Sequence, residues 1–344
     1  MSLKPLESIW YTRCPVPTPL GIAVQHGWIR EEFARRGITV RALQETIDPE
    51  LRESHYDHHL ANSFRQGGNV PAIWARAQGA DTRVIGLNWV DESQLVIALP
   101  ESGIVSPGVL KGRRLGLPLH NNSIDHGRAS ALRGFLATLE LEGLGVDDVE
   151  FVDIPVETTT IGWTALGTPK PGGSYSTQVS ALLEGHVDAI FVKGARGVET
   201  ASLLGAHTVI DLRQHPDPFV RVNNGAPRPI TVDAGLLRER PDIVTSFLAR
   251  VVDVGDWAAS HPAETVAYVS RETSAAPEWV RKAYGSDLHR RQNTDLAEIS
   301  IQALEKYKDF LFRWGFIKCD FSIREWIDPL PLAAVFRNGK RRAA

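Results

Sequence analysis

Only two of the 344 residues are cysteine, Cys14 and Cys319. No CxxC or other close pair occurs, which excludes the usual zinc-ligand spacings. The two could form one bridge, but so low a count fits a reducing compartment better than a disulfide framework. No apolar run approaches the roughly 18 residues that a membrane span needs. Met1 to Tyr11 holds no apolar stretch of signal-peptide length. The expectation is a cytoplasmic protein with no membrane span, or a periplasmic one whose signal segment has been trimmed. An excess of one charge sign is missing too. The formal net charge is −3, with Lys and Arg spread along the chain, which argues against a nucleic-acid surface or a polybasic membrane anchor. GxGxxG, GxSxG, P-loop and HExxH motifs are all lacking, so no cofactor and no metal are expected.

What is present is ordinary globular composition, 43% hydrophobic and 23% charged. The length exceeds one small core and implies two domains or two lobes. Short strands alternate with helices. Ser8–Thr12, Ile38–Leu43, Thr82–Val90 and Leu95–Leu99 read as strands of a first block, with helices over Gly21–Arg36 and Val70–Gln78. Val149–Ile154, Val187–Val192 and Thr208–Leu212 read as strands of a second, with helices over Asp125–Leu141 and Ser176–Glu184. A helical tail follows from Arg240. This alternation predicts an α/β fold with mostly parallel sheets. Lobe one is placed at 1–98 with 225–344, including the tail, and lobe two at 99–224.

Arg65-Gln66-Gly67-Gly68 is the densest chemical signal. A guanidinium offers a planar fork of donors, and two glycines let backbone N–H groups approach a ligand closely just ahead of a helix. Any oxyanion would fit. Cys14 ends the first strand and precedes Pro15, which holds it extended. The carboxyl end of that strand should face the ligand side of the sheet. A buried inert thiol is the ordinary alternative. His55 could orient or titrate Cys14. His55, Asp57, His58 and His59 could also form a metal cluster, but the spacing lacks a recognised pattern. Trp28, Trp74 and Trp89 are expected mainly to pack. Lys170-Pro171-Gly172-Gly173-Ser174 reads as a polar cleft loop.

Leu110-Lys111-Gly112-Arg113-Arg114-Leu115-Gly116 resembles the "DLKGKKVGV" turn of type II periplasmic-binding-protein-like folds. Leu183-Glu184-Gly185-His186-Val187-Asp188-Ala189 and Leu237-Arg238-Glu239-Arg240-Pro241-Asp242 resemble two further segments of those folds. Within that superfamily, Cys14-Pro15-Val16-Pro17, His55 and Arg65 with Gly67 and Gly68 resemble the 2'-hydroxybiphenyl-2-sulfinate desulfinase family. Gly145 to Glu150 resembles it as well. Departures occur at Thr12-Arg13, at His58-His59 and around His120-Asn121-Asn122, so the family's biphenyl-binding walls are not reproduced.

The resemblance implies a two-lobed fold with a ligand cleft between the lobes. It implies a cofactor-free enzyme that cleaves the C–S bond of an aromatic sulfinate and releases sulfite. Cys14 would be the catalytic thiol, as proton donor or nucleophile. His55 would support it, and Arg65 with the N–H groups of Gly67 and Gly68 would hold the sulfinate. The partner is then a small anionic, aromatic molecule. The fold's commonest occupation supplies an alternative: a solute-binding protein for an anionic aromatic compound, delivering it to an ABC permease. A third option is an enzyme of the pyrimidine-precursor type acting on another anion.

Overall fold

A computed structural model describes residues 6–156 and 175–342. The Lys170 to Ser174 loop lies outside the described residues. The chain runs β1 (Ser8–Arg13), α1 (Pro19–Gln25), α2 (Trp28–Ala34), β2 (Thr39–Ala42), α3 (Pro49–Asp57), β3 (Ser63–Gln66), α4 (Asn69–Ala77) and β4 (Thr82–Asn88). It continues through β5 (Gln94–Ala98), β6 (Arg114–His120), α5 (His126–Glu140), β7 (Glu150–Val156), α6 (Ser176–Leu183), β8 (Ala189–Lys193), α7 (Gly194–Leu204) and β9 (His207–Asp211). It closes with β10 (Arg228–Asp233), α8 (Ala234–Glu239), α9 (Pro241–Ser260), α10 (Pro262–Thr273), α11 (Pro277–Tyr284), α12 (Glu298–Arg313), α13 (Ile323–Trp326) and α14 (Leu330–Arg342).

Two compact units result. One comprises 1–90, 225–272 and 287–344, the other 91–224 and 273–286. The first holds a sheet ordered β2-β1-β3-β10-β4, the second a sheet ordered β7-β6-β8-β5-β9. Both are mostly parallel, as the alternation predicts, with one reversed strand in each. β10 runs antiparallel to β3 and β4, and β5 runs antiparallel to β8 and β9. These two strands follow the points where the chain changes unit, so each enters its sheet from the opposite direction to its neighbours. β5, read from sequence with the first block, therefore belongs to the second sheet. α11 also lies in the second unit, where the Ala283 carbonyl accepts from Ser93 N at 2.8 Å. The rest of the helical tail packs on the first unit: Trp326 donates from Nε1 to Thr82 Oγ1 at 3.1 Å.

The helix expected over Gly21–Arg36 is two helices. Gly27 adopts φ +82°, a left-handed conformation that ends α1 and opens α2. α1 starts where Thr18 Oγ1 accepts from Gly21 N at 3.0 Å, with Pro19 in the first turn. The core of the first unit joins β1, β3 and β10 to the apolar faces of α1, α2 and α9. At its centre Phe64 and Phe247 stack at 3.8 Å and 5°, both buried. Phe64 immediately precedes Arg65, so this stack also anchors the strand that carries the arginine. Among the described residues, no helix is long and apolar enough to cross a membrane.

Removing the Phe247 ring leaves a cavity that the close-packed interior cannot refill. Phe247→Ala is expected to cost about 3–5 kcal/mol, read from the urea-unfolding midpoint.

Candidate active site

β1 and β3 lie side by side and parallel, with Thr12 opposite Arg65 and Arg13 opposite Gln66. The ladder continues past β1, because Cys14 N donates to the Gln66 carbonyl at 3.1 Å. Cys14 therefore comes level with Gly67. Alternation along a strand puts residues two apart on one face. Thr12, Cys14, Arg65 and Gly67 thus share a face. Arg13 and Gln66 take the other. There Arg13 pairs with Glu272 at 2.7 Å, both side chains 3% exposed, and Gln66 Oε1 accepts from Leu20 N at 2.8 Å. Burial raises the Glu272 carboxyl above its usual range, while Arg13 and Gln25 oppose the rise.

Gly67 has no substitute at that point. A Cβ there would stand 2.2 Å from the Cys14 sulfur, 2.8 Å from its Cβ and 3.1 Å from its backbone N. The glycine is required by the close approach of two strand ends. Gly68 then caps α4 without a side-chain acceptor, so the first-turn N–H groups of a nine-residue helix follow directly.

The third component comes from α3. Asp48 caps that helix by accepting from Glu50 N, and Pro49 opens it. In its last turn His55 is buried. His55 Nε2 lies 3.7 Å from Cys14 Sγ, and Nδ1 lies 2.8 Å from Thr12 Oγ1. Gln44 Nε2 donates to the Arg13 carbonyl at 2.7 Å and approaches Thr12 Oγ1 at 3.5 Å. Either imidazole tautomer can serve both contacts. With Nδ1–H donating to Thr12, Nε2 receives the thiol proton; with the Thr12 hydroxyl donating, Nε2–H faces the sulfur.

Arg65 is 3% exposed. Its Nε donates to the His55 carbonyl at 3.1 Å and its Nη1 to the Gly68 carbonyl at 2.9 Å. Its Nη2 lies 3.6 Å from Cys14 Sγ. Burial lowers its pKa, with Cys14 and Tyr56 acting the other way; a guanidinium stays charged regardless. None of these partners is a carboxylate. A buried cation held by carbonyls alone is costly unless an anion completes it.

Cys14, His55, Arg65 and Gly67 are thus brought together, with Gly68 beside them. His58 and His59 are not part of the cluster. His59 turns outward to Asp57 at 2.5 Å. His58 caps α3 in the left-handed region at φ +56°. Among the described residues no three His, Cys, Asp or Glu side chains converge as a metal site. Sequence reasoning missed Tyr56 as a neighbour and named Thr12 only as a departure. The Tyr56 ring meets His55 edge-on at 5.0 Å. Burial first, then Cys14 and Glu53, push its hydroxyl up to about 12, so it remains a neutral group. Thr12 was findable, since it lies two residues before Cys14 on one strand face. Tyr56 was not, because its approach depends on how α3 docks.

The class these features define is a two-lobed α/β protein of the type II periplasmic-binding-protein-like fold, with a thiol, an imidazole and a buried guanidinium on one sheet face. No family model matches the chain. A curated homologue is the 2'-hydroxybiphenyl-2-sulfinate desulfinase of Rhodococcus erythropolis, 25% identical over 354 residues, covering 94% of this chain and 92% of that protein. The structure of a cysteine-to-serine mutant of the enzyme DszB in complex with biphenyl-2-sulfinic acid superposes with a TM-score of 0.77 at 23% identity, covering 96% of this chain and 99% of that one. The periplasmic aliphatic sulphonate binding protein SsuA of Escherichia coli gives a TM-score of 0.65 at 14% identity, covering 94% and 92%.

Two outcomes test this geometry. Gly67→Ala must displace the thiol or its strand, and is expected to cost about 1–3 kcal/mol in denaturant unfolding. His58 supplies the second. Burial, and then the Arg65 charge, hold its pKa well below the usual 6.5, against a smaller opposing effect of the His55 carbonyl. The unfolded chain therefore takes up a proton that the folded one refuses. Stability present above about pH 6.5 is lost as pH falls below it. His58→Gln should flatten that acid decline in urea midpoints measured from pH 7 to 5.

Proposed function

We propose that the protein is a cofactor-free desulfinase that cleaves the C–S bond of an aromatic sulfinate and releases sulfite. One observation carries the reading: the Cys14 sulfur stands 3.7 Å from His55 Nε2 and 3.6 Å from Arg65 Nη2, beside Gly67. The full-length similarity to a sulfinate desulfinase supports it.

Arg65 and the N–H groups of Gly67 and Gly68 hold the two sulfinate oxygens, which meets the missing negative charge at the guanidinium. The same guanidinium borders the thiol, so the bound C–S bond lies next to Cys14. Cys14 delivers its proton to the ring carbon that bears sulfur. The C–S bond breaks, its electron pair stays with the ring as the new C–H bond forms, and sulfur dioxide leaves. Water converts sulfur dioxide to bisulfite and a proton, which restores the thiol. His55, held by Thr12, governs where that proton resides. Proton donation is preferred to thiolate attack on sulfur, because attack would press one anion against another.

A second reading keeps the fold's binding occupation: a receptor for an anionic aromatic compound that serves an ABC permease. The likeness to a sulphonate-binding protein favours it. Incubation of the purified protein with benzenesulfinate decides. Catalytic sulfite release supports the enzyme; stoichiometric binding without turnover supports the receptor. Cys14→Ser should abolish sulfite release and keep binding. Arg65→Gln should weaken benzenesulfinate binding about 10–100-fold, the worth of one or two charge-assisted hydrogen bonds. Full activity in Cys14→Ser would sink the desulfinase reading.

A further inference from the structure

Bordering Arg65 lies a small cavity of about 10 Å³ whose wall mixes polar groups with Leu43 and Val232. Thr12, Ser54, His58, Ser63, Arg65 and Thr231 border it. That volume is about what one water needs, and one water also needs two to four polar partners. His58 supplies an unusual partner. It is 9% exposed; the His55 carbonyl is near its ring, but neither ring nitrogen makes a well-aligned hydrogen bond within the protein. Its backbone sits at φ +56°, a conformation uncommon outside glycine and retained only where the surroundings impose it. Most other hydroxyls around the space are already engaged. Ser54 Oγ accepts from Leu60 N, Ser63 Oγ donates to the Leu60 carbonyl, and Thr12 Oγ1 meets His55. Thr231 lies directly across from Arg65 in the β10–β3 pair.

We propose that this cavity holds one ordered water that bridges the His58 imidazole and the Arg65 guanidinium, with Thr231 as its third partner. His58 is then a positioning residue for Arg65: it fixes the guanidinium while remaining uncharged. A cation at this position would repel Arg65, whereas a neutral imidazole gives and accepts hydrogen bonds without adding charge. The charged and titratable groups around His58 are Arg65 on β3, His55 on α3 and Asp233 at the end of β10. The Asp233 carboxylate is occupied by the backbone N–H groups of Asn62, Gly235 and Leu236. The inference rests on the anion-binding role given to Arg65 above, and names what holds that arginine in place.

The test uses the full chain with Cys14→Ser, so that benzenesulfinate binds without turnover, and reads affinity by calorimetry. His58→Phe removes the bridge and should weaken binding about 10–100-fold, the worth of one or two hydrogen bonds to a charged group. His58→Gln keeps a donor and an acceptor and should restore most of the affinity; a merely structural role would show no such rescue. If His58→Phe does not fold, Thr231→Val, which removes one partner of the water without changing shape, takes its place. Unchanged affinity in that variant overturns the proposal, as does unchanged affinity in a folded His58→Phe. If the parent binds no sulfinate, the desulfinase reading falls separately, and high-resolution crystal structures then decide: density for a water between His58 and Arg65, lost with a shifted Arg65 in the variants, supports the bridge. A dry cavity overturns it.

Discussion

The buried charge of Arg65 is the constraint on which the site depends. A guanidinium enclosed by protein must be hydrogen-bonded in full or be completed by an anion. Here its protein partners are two backbone carbonyls and a thiol sulfur. The first unit therefore supports a positive charge without neutralising it. Its neighbours follow the same logic: Tyr56 is held neutral by burial, and His58 is kept from protonating by burial and by Arg65. The nearby Asp233 carboxylate is taken up by three backbone N–H groups. Glu272, a buried carboxylate, pairs with Arg13 on the opposite face of β1.

Strand pairing converts this electrostatic arrangement into chemistry. Because β1 and β3 are parallel neighbours, their carboxyl ends finish together, and the residue after one strand faces the residue after the other. Gly67 lets that approach close to contact distance, which places the thiol against the Gly67 backbone and the Arg65 guanidinium. α3 then swings His55 onto the same sulfur and onto Thr12. The Phe64–Phe247 stack ties β3 to α9, so the arginine's strand is anchored by the same core that anchors the return helix.

Much of the architecture was legible in local pattern. The apolar run Thr82–Asn88 emerged with one bound off by two residues, and the helical tail was read from Arg240, one residue ahead of Pro241–Ser260. The elements that carry the site were the least legible. β3 is Ser-Phe-Arg-Gln, with one apolar residue and no period. α3 is polar along nearly its whole length, although Asp48-Pro49-Glu50 is a recognisable helix start. β10 contains Pro229, which argues against a strand inside a sheet, yet it runs between β3 and β4. Polar residues concentrate in these elements, and that polarity erases the hydrophobic signal by which elements are recognised.

The sequence by itself determined the α/β alternation and singled out Arg65-Gln66-Gly67-Gly68 as a candidate oxyanion receiver and Cys14 with His55 as candidate chemistry. Those follow from residue types and short-range spacing. Only the tertiary structure decided that Cys14, His55 and Arg65, separated by up to 51 residues, meet at one sulfur atom. It alone revealed that Gly67 is there for contact and not for backbone freedom, and that Arg65 is buried without an anion. The reason is that strand neighbours are chosen by the packing of the whole sheet. Register between β1 and β3, and the docking of α3 across them, depend on contacts among residues far apart in the chain.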